Sequence, residues 1–435
     1  ESGYIPAPYS AHKCLKKLEP AKYIIVDKNG LEINKYWDST IIETEFDWQK
    51  RSENDLLDEL DEIISLSVKK RMVSDVPLGA FLSGGIDSSL IVAMMAKHSA
   101  QTIKTFTIGF KEKEYDESSQ SRLVAENIGT EHFTEMLNVD DLLDLMPDFL
   151  KNYDEPFFDS SAFPTMAVSR LAKQHVTVSL TGDGGDELFG GYHYYKIAKI
   201  LNPFFNSPDW FRSLLGSTIN KIPTHKTKLL GAALNQKNSA RSFAFSRSIA
   251  KDFHNILNEE ALSRTSSLLD LFETKASSFP AGLRAAEQGM RLDTSFTLND
   301  DYLQKTDVAS MAFSLESRAP LLAREVVEWG MKLPVDWKIK GLVNKYLLRK
   351  LLYRYVPREL VDRPKRGFGV PVDSWLRNQL SPWASERLEN PDLYKNLPLN
   401  QSAVKSLFEL HKSGKRNVQP LVWAVLMLLE FNNPK

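Results

Sequence analysis

The stretch that most constrains this chain is VPLGAFLSGGIDSSLIVAMM, residues 76–95, where two apolar runs flank two glycines, an aspartate and three hydroxyl side chains. Residues 76–82 have the continuous apolar character of a buried strand. Residues 90–95 have that of a buried helix face, with the helix N-terminus at Asp87, Ser88 and Ser89. A strand that turns this sharply into a helix fixes the local architecture as β-turn-α. Gly84 and Gly85 let the main chain take dihedrals closed to other residues and let an anion approach it. Free amides at the helix start, with the hydroxyls of Ser83, Ser88 and Ser89, suit a phosphate. An ordinary N-capped turn would explain the glycines and serines, but not Asp87. A carboxylate beside a bound phosphate is repelled unless a divalent cation such as Mg²⁺ lies between them.

The surrounding pattern sets the fold class. Residues 21–38 read as two strands around a turn at Lys28, Asn29 and Gly30, and residues 52–72 as a helix with acids at its start and Lys69, Lys70 and Arg71 at its end. Strand-like and helix-like segments then alternate at 76–82, 88–98, 103–110, 117–129, 131–137, 140–151, 161–174 and 176–182. Such alternation predicts an α/β fold, a Rossmann-like parallel sheet flanked by helices with ligands at the C-terminal strand ends. From about residue 196 the pattern is mostly helical, broken by prolines. Three parts are expected: a β-hairpin segment at 1–50, an α/β nucleotide domain at 51–200, and a mostly helical part at 201–435 that completes the site.

A second strand-to-turn junction lies at VSLTGDGGDELFGGYHYY, residues 178–195, with Asp183, Asp186 and Glu187 expected to be exposed together. Taken alone, a solvated acidic loop would read the same way. In a parallel sheet, however, both turns lie at one edge, so Asp87 and Asp186 are expected to share one cation. No GxxxxGK[ST] motif occurs, so the lysine that grips β- and γ-phosphates in that loop is missing. A pyrophosphate-gripping turn without it suits cleavage between the α- and β-phosphates of ATP.

Composition excludes little. The chain is 42% hydrophobic and 26% charged, ordinary for a globular protein, and its net charge of −1 gives no reason to expect nucleic acid. The single cysteine, Cys14, excludes an internal disulfide and a cysteine-rich metal site and points to a reducing compartment, so the cytoplasm is expected. The apolar run at 421–431 is too short for a membrane span and reads as a buried helix.

The turn made by Ser83, Gly84, Gly85, Ile86, Asp87 and Ser88 resembles the pyrophosphate loop of the ATP pyrophosphatase superfamily, whose fold is of the adenine nucleotide alpha-hydrolase kind. DEPFFDSSAFPT (154–165), LTGDGGDELFGGY (180–192), KTDVASMAFSLESRAPLL (305–322), KYLLRK (345–350) and RPKRGFGVPVDSWLR (363–377) follow in order. Together they resemble the synthetase half of glutamine-dependent asparagine synthetases over nearly the whole chain. The resemblance implies Mg²⁺ and ATP, with pyrophosphate bound by the 83–89 turn and Mg²⁺ held by Asp87 and Asp186. It further implies that Leu82 and Ile108 frame the adenine, that Thr181 and Gly182 close over the nucleotide, and that Lys365 stabilises charge on the transferring phosphate and acyl group. Glu316, Arg318 and Lys345 fit structural ion pairs at least as well as catalysis. The implied reaction adenylates a carboxylate, aspartate first among candidates, and lets ammonia displace AMP to give the amide.

Three departures qualify this resemblance. Asp183 stands where the usual members carry glutamate in Gly-Glu-Gly-Ser-Asp-Glu; it contacts the intermediate there, and one methylene less draws a carboxylate back by about 1.5 Å. The aspartate form resembles a branch that accompanies surface-polysaccharide genes, so a sugar acid is an alternative acceptor. β-Lactam-type cyclisation and a non-catalytic nucleotide-binding subunit are further alternatives. The family's Pro-Phe-Leu-Asp reads Pro320-Leu321-Leu322-Ala323, without the carboxylate. GYIPAP (3–8) resembles the segment after the glutaminase domain, and Cys14 is internal. The chain is therefore expected to be a piece lacking that domain and to use ammonia. The residues carry no signal for oligomeric state, although family members often pair as homodimers.

Overall fold

Continuous apolar runs become the inner strands of a parallel sheet. In the computed structural model, residues 2–38, 48–222, 225–248, 253–262, 267–362 and 369–433 are described. Strands β1 (Lys22–Asp27) and β2 (Gly30–Lys35) form an outlying antiparallel hairpin. Strands β3 (Leu78–Phe81), β4 (Lys104–Phe110), β5 (Glu131–Leu137), β6 (Val178–Leu180) and β7 (Glu316–Arg318) make a five-stranded sheet in the order β5-β4-β3-β6-β7, every pairing parallel.

That order places the ligand edge. From β3 the chain steps outward through helix α2 (Ile86–His98) to β4, then through α3 (Ser118–Ile128) to β5. It returns through α4 (Val139–Asn152) and α5 (Ala162–Lys173) to the other side of β3 as β6. Direction therefore switches between β3 and β6, and the crevice at such a point is where open α/β sheets bind ligands. The turns following β3 and β6 are the two that the sequence singles out.

The helix at 52–72 forms with its caps in place. In the helix, here α1 (Glu53–Arg71), Ser52 and Asp55 make reciprocal side-chain-to-amide bonds of 3.2 and 3.3 Å, satisfying two amides that helix geometry leaves open. At its other end Arg318 donates to the carbonyls of Arg71 and Val73 at 2.8 Å each. Arg318 also pairs with Glu316, so both have the structural part expected of them. That they form a fifth strand was not expected. The mostly helical reading of the C-terminal half holds; β7, the strand found there among the described residues, has only three residues, Glu316, Ser317 and Arg318, whose polarity gives no strand signal.

One face of the sheet is covered by α4, α5 and the C-terminal helix Gln419–Asn432, with Phe163 and Trp423 meeting edge to face at 5.8 Å. The other is covered by α1, α2 and the helix Tyr346–Leu352. Both apolar clusters draw on residues before and after position 200. The late segments are thus packed onto the early sheet, which brings their charged side chains to its edge. Among the described residues no helix is long and apolar enough to cross a membrane.

Candidate active site

The first turn is built as a cradle. Gly84 has φ +70°, a left-handed conformation that glycine alone adopts without cost. Gly85 does not: it caps α2 at φ −75°, so only one of the two glycines is needed for its dihedrals. The hydroxyls of Ser83 and Ser88 lie 3.0 Å apart, and the amides of Ser83 and Gly85 donate to Ser88 Oγ and Ser83 Oγ. Helix α2 starts at Ile86, placing its first amides, which have no intrahelical partner, at this turn. Ser88 and Ser89 are both buried, Ser89 fully, while Ser83 is partly exposed.

The second turn lies directly against the first. A Cβ on Gly182 would fall 2.9 Å from Asp87 Cβ, and one on Gly185 would fall 2.4 Å from Asp87 Oδ1, distances no real side chain tolerates. From this contact a short helix, α6 (Gly185–Phe189), carries Asp186 toward Asp87. The two carboxylates converge on one cation, but that cation is the ammonium of Lys345. Its Nζ pairs with Asp87 Oδ2 and lies 2.7 Å from Asp186 Oδ1. Burial works against charge on Lys345; Asp186 and Asp87 outweigh it and hold the pKa above its ordinary value.

Lys345 reaches this place through an unusual backbone. It has φ +52°, uncommon for a residue with a side chain, at the start of the helix Tyr346–Leu352. Asn344 anchors the turn by donating to the Gly191 carbonyl at 2.6 Å. Arg349 then bonds the Asn344 carbonyl and pairs with Asp362 at 2.8 Å. Lys365, expected in the same site, lies outside the described residues.

The donor set fits Mg²⁺. No group of three or more metal-ligating side chains occurs among the described residues. Two convergent carboxylates with the other positions left to phosphate oxygens and water are nonetheless how Mg²⁺ is usually held.

Asp183 opens on a separate cavity of about 390 Å³, lined by Thr181, Asp183, Leu303, Thr306, Asp307 and Ser317 among others. Thr181 donates to Asp183 Oδ2 at 2.7 Å. Burial raises the pKa of Asp183, opposed by Thr181, Lys305 and Thr306. Behind it the buried Lys305 donates to Asp159 Oδ2 at 2.8 Å and to Ser161 Oγ at 2.7 Å. Residues of the 154–165 and 305–322 segments thus meet through a buried ion pair. Burial opposes the Lys305 charge, but Asp159 and Asp301 more than restore it.

Leu82 and Ile108, expected at the adenine, are buried at the same sheet edge. The Leu82 amide donates to the Phe106 carbonyl, and its carbonyl accepts from the Thr107 hydroxyl. Leu322, in the segment where the family's carboxylate is missing, fills the space over Gly184 instead. Lys345 makes an ion pair, as expected of it, but with the two carboxylates of the site, and Lys305 was not singled out in the sequence. The signal for Lys345 was a lone lysine preceding an apolar helix run, which is ordinary in sequence; its role shows only in its position.

These features define an α/β nucleotide-binding fold with an acid-rich second turn at the switch point. The asparagine synthase family profile matches residues 59–432, and the chain belongs to that family. It is similar to asparagine synthetase [glutamine-hydrolyzing] 1 of Bacillus subtilis, 30% identical over 98% of this chain and 66% of that protein. Asparagine synthetase [glutamine-hydrolyzing] 3 of the same organism is 26% identical over 92% of the chain and 62% of its own length. An amidase, chyE, of Penicillium rubens is 25% identical over 83% of the chain and 59% of its own length. The chain thus spans about two thirds of the length of these relatives.

Proposed function

We propose that the protein is an AMP-forming carbon–nitrogen ligase that amidates a carboxylate, with aspartate the leading acceptor and asparagine the product. The observation that carries this reading is the contact of two glycine-rich turns, Asp87 and Asp186 converging on one cation between them. The cavity at Asp183, beside those turns, is the proposed acceptor pocket.

In this reading the β- and γ-phosphates of ATP rest on the 83–89 turn, and the α-phosphorus faces the Asp183 cavity. Bound Mg²⁺ would be held by Asp87 and Asp186 and would neutralise charge on the phosphate oxygens. Lys345 leaves the carboxylates as the nucleotide arrives and keeps its positive charge beside the pyrophosphate. The acceptor carboxylate attacks the α-phosphorus, the bond to the bridging oxygen breaks, and pyrophosphate departs into the cradle. Asp183 orients the acceptor and, with Thr181, lies at the acyl carbon. Ammonia then adds to that carbon, AMP leaves as its phosphate, and one proton is lost to give the amide. Alignment and charge neutralisation supply most of the rate. Water must be excluded because it would hydrolyse the acyl-AMP. Lys365 is proposed to meet the negative charge developing on phosphate and acyl oxygens.

The glutamine-hydrolysing step in the names of the bacterial relatives is proposed for a separate glutaminase domain, with ammonia reaching this chain from it or from solution. A second reading, another carboxylate as acceptor, draws on Asp183 and on the name of the Penicillium relative, an amidase. A carboxylate screen with Mg-ATP and ammonium, read by pyrophosphate release, tests both. Release with aspartate supports the first reading. Release only with other acids replaces it by the second, and no release with any carboxylate overturns both.

A further inference from the structure

Helix α6 has a second side. Asp186 faces the nucleotide turn, but the next residue, Glu187, lines a cavity of about 250 Å³ bounded by the helices Ala285–Ser295 and Arg324–Lys332 and by the 333–338 segment. Its polar wall includes Arg284, Glu287, Arg291 and Lys338. Lys338 is only 4% exposed and makes no hydrogen bond or ion pair among the described residues. A buried ammonium without a partner is costly, and such a group ordinarily pairs with an acid or a ligand.

The acids nearby are committed elsewhere. Glu287 accepts from the Arg284 guanidinium at 2.9 Å and from the amides of Val335 and Arg284 at 3.0 Å each. Glu187 accepts the Tyr192 hydroxyl at 2.6 Å. Arg291, also buried, adds a second cation to the wall.

We infer that this cavity is a binding site for a small oxyanion, a carboxylate or phosphate, anchored by Lys338 with Arg291 beside it. The site is separate from the acceptor pocket, which lies at Thr181, Asp183 and Thr306. Its occupant touches the residue after Asp186, so binding there bears on the helix that carries one of the two site carboxylates.

The test is calorimetric titration of the whole chain with malonate and with inorganic phosphate, each in two buffers of different ionisation enthalpy. With the pH set above about 7, where burial leaves Lys338 mostly neutral, binding takes up a proton as the anion restores its charge. In Lys338→Met affinity falls about tenfold or more and the proton uptake disappears. The arm that binds tells carboxylate from phosphate. Should the variant not fold, acetic-anhydride labelling of the wild type, read by mass spectrometry, replaces it, and the bound anion slows acetylation of Lys338. Binding of neither anion, equal affinity in the variant, or labelling of Lys338 unchanged by the anion overturns the proposal.

Discussion

Two lysines lie on opposite sides of α6, each 4% exposed, and the contrast between them shows how this fold uses buried charge. Lys345 is held by two carboxylates that arrive from separate strand ends, and its charge is secured. Lys338 has no such ion pair, and burial drags its pKa down to about 7, opposed by the charge of Glu287 and helped by Arg291 and Arg284. A buried charge persists where neighbouring elements bring opposite charge to it; where they do not, the group sheds its proton or takes a ligand. The nucleotide side of α6 is therefore set for a cation, and the far side for an anion.

The largest effect is expected from breaking the paired side. Lys345→Met leaves Asp87 and Asp186 facing each other and should lower stability by about 3 kcal/mol, measured by denaturant unfolding. Asp186→Asn should lower pyrophosphate release about 100-fold or more, measured with saturating ATP, if the carboxylate holds the nucleotide's cation. Mg-ATP should stabilise Lys345→Met more than wild type, since a bound cation replaces the lost ammonium.

The unpaired side sharpens the comparison through pH. Lys338 has a folded pKa of about 7, below its ordinary value of 10.5, so the unfolded chain holds the extra proton between them. Wild type should gain stability relative to Lys338→Met as pH rises through that window, by at most about 1.4 kcal/mol per unit, read as the difference between unfolding curves. Glu187 has the opposite sign, with a folded pKa of about 8 against 4.5. Its contribution is present at low pH and lost as pH rises to about 8, and Glu187→Gln should remove that decline while leaving pyrophosphate release within a few-fold. The smallest effect belongs to an exposed pair: Arg324→Gln, which breaks a surface bond to Glu328, should leave the unfolding midpoint unchanged.

The sheet was legible where burial leaves a continuous apolar trace. Strands β3 to β5 and helices α2 to α5 fall within two residues of the segments expected for them, and β6 within two at each end. β7 was not legible, because three polar residues at a sheet edge resemble a loop. The contact between the two turns was readable, since two glycine-rich strand ends in a parallel sheet have few other places to go. The cation between them was not: Lys345 is separated from Asp87 by 258 positions, and its left-handed backbone has no sequence signal. Gly85 shows the reverse error, a glycine credited with dihedrals that its neighbour Gly84 alone requires. Lys338 carried no signal, and Glu187, expected to be exposed beside Asp186, is buried on the other side of α6, because only packing tells which side of a short helix each residue faces.

The central claim is that the two turns grip pyrophosphate as a leaving group around the Asp87 and Asp186 cation site. Its most direct test incubates the protein with Mg-ATP, aspartate and ammonium and identifies the nucleotide and phosphate products chromatographically. The account predicts AMP and pyrophosphate in equal amounts from the wild type and a large loss of both in Asp186→Asn. ADP and inorganic phosphate as the products, or undiminished turnover in that variant, would contradict it.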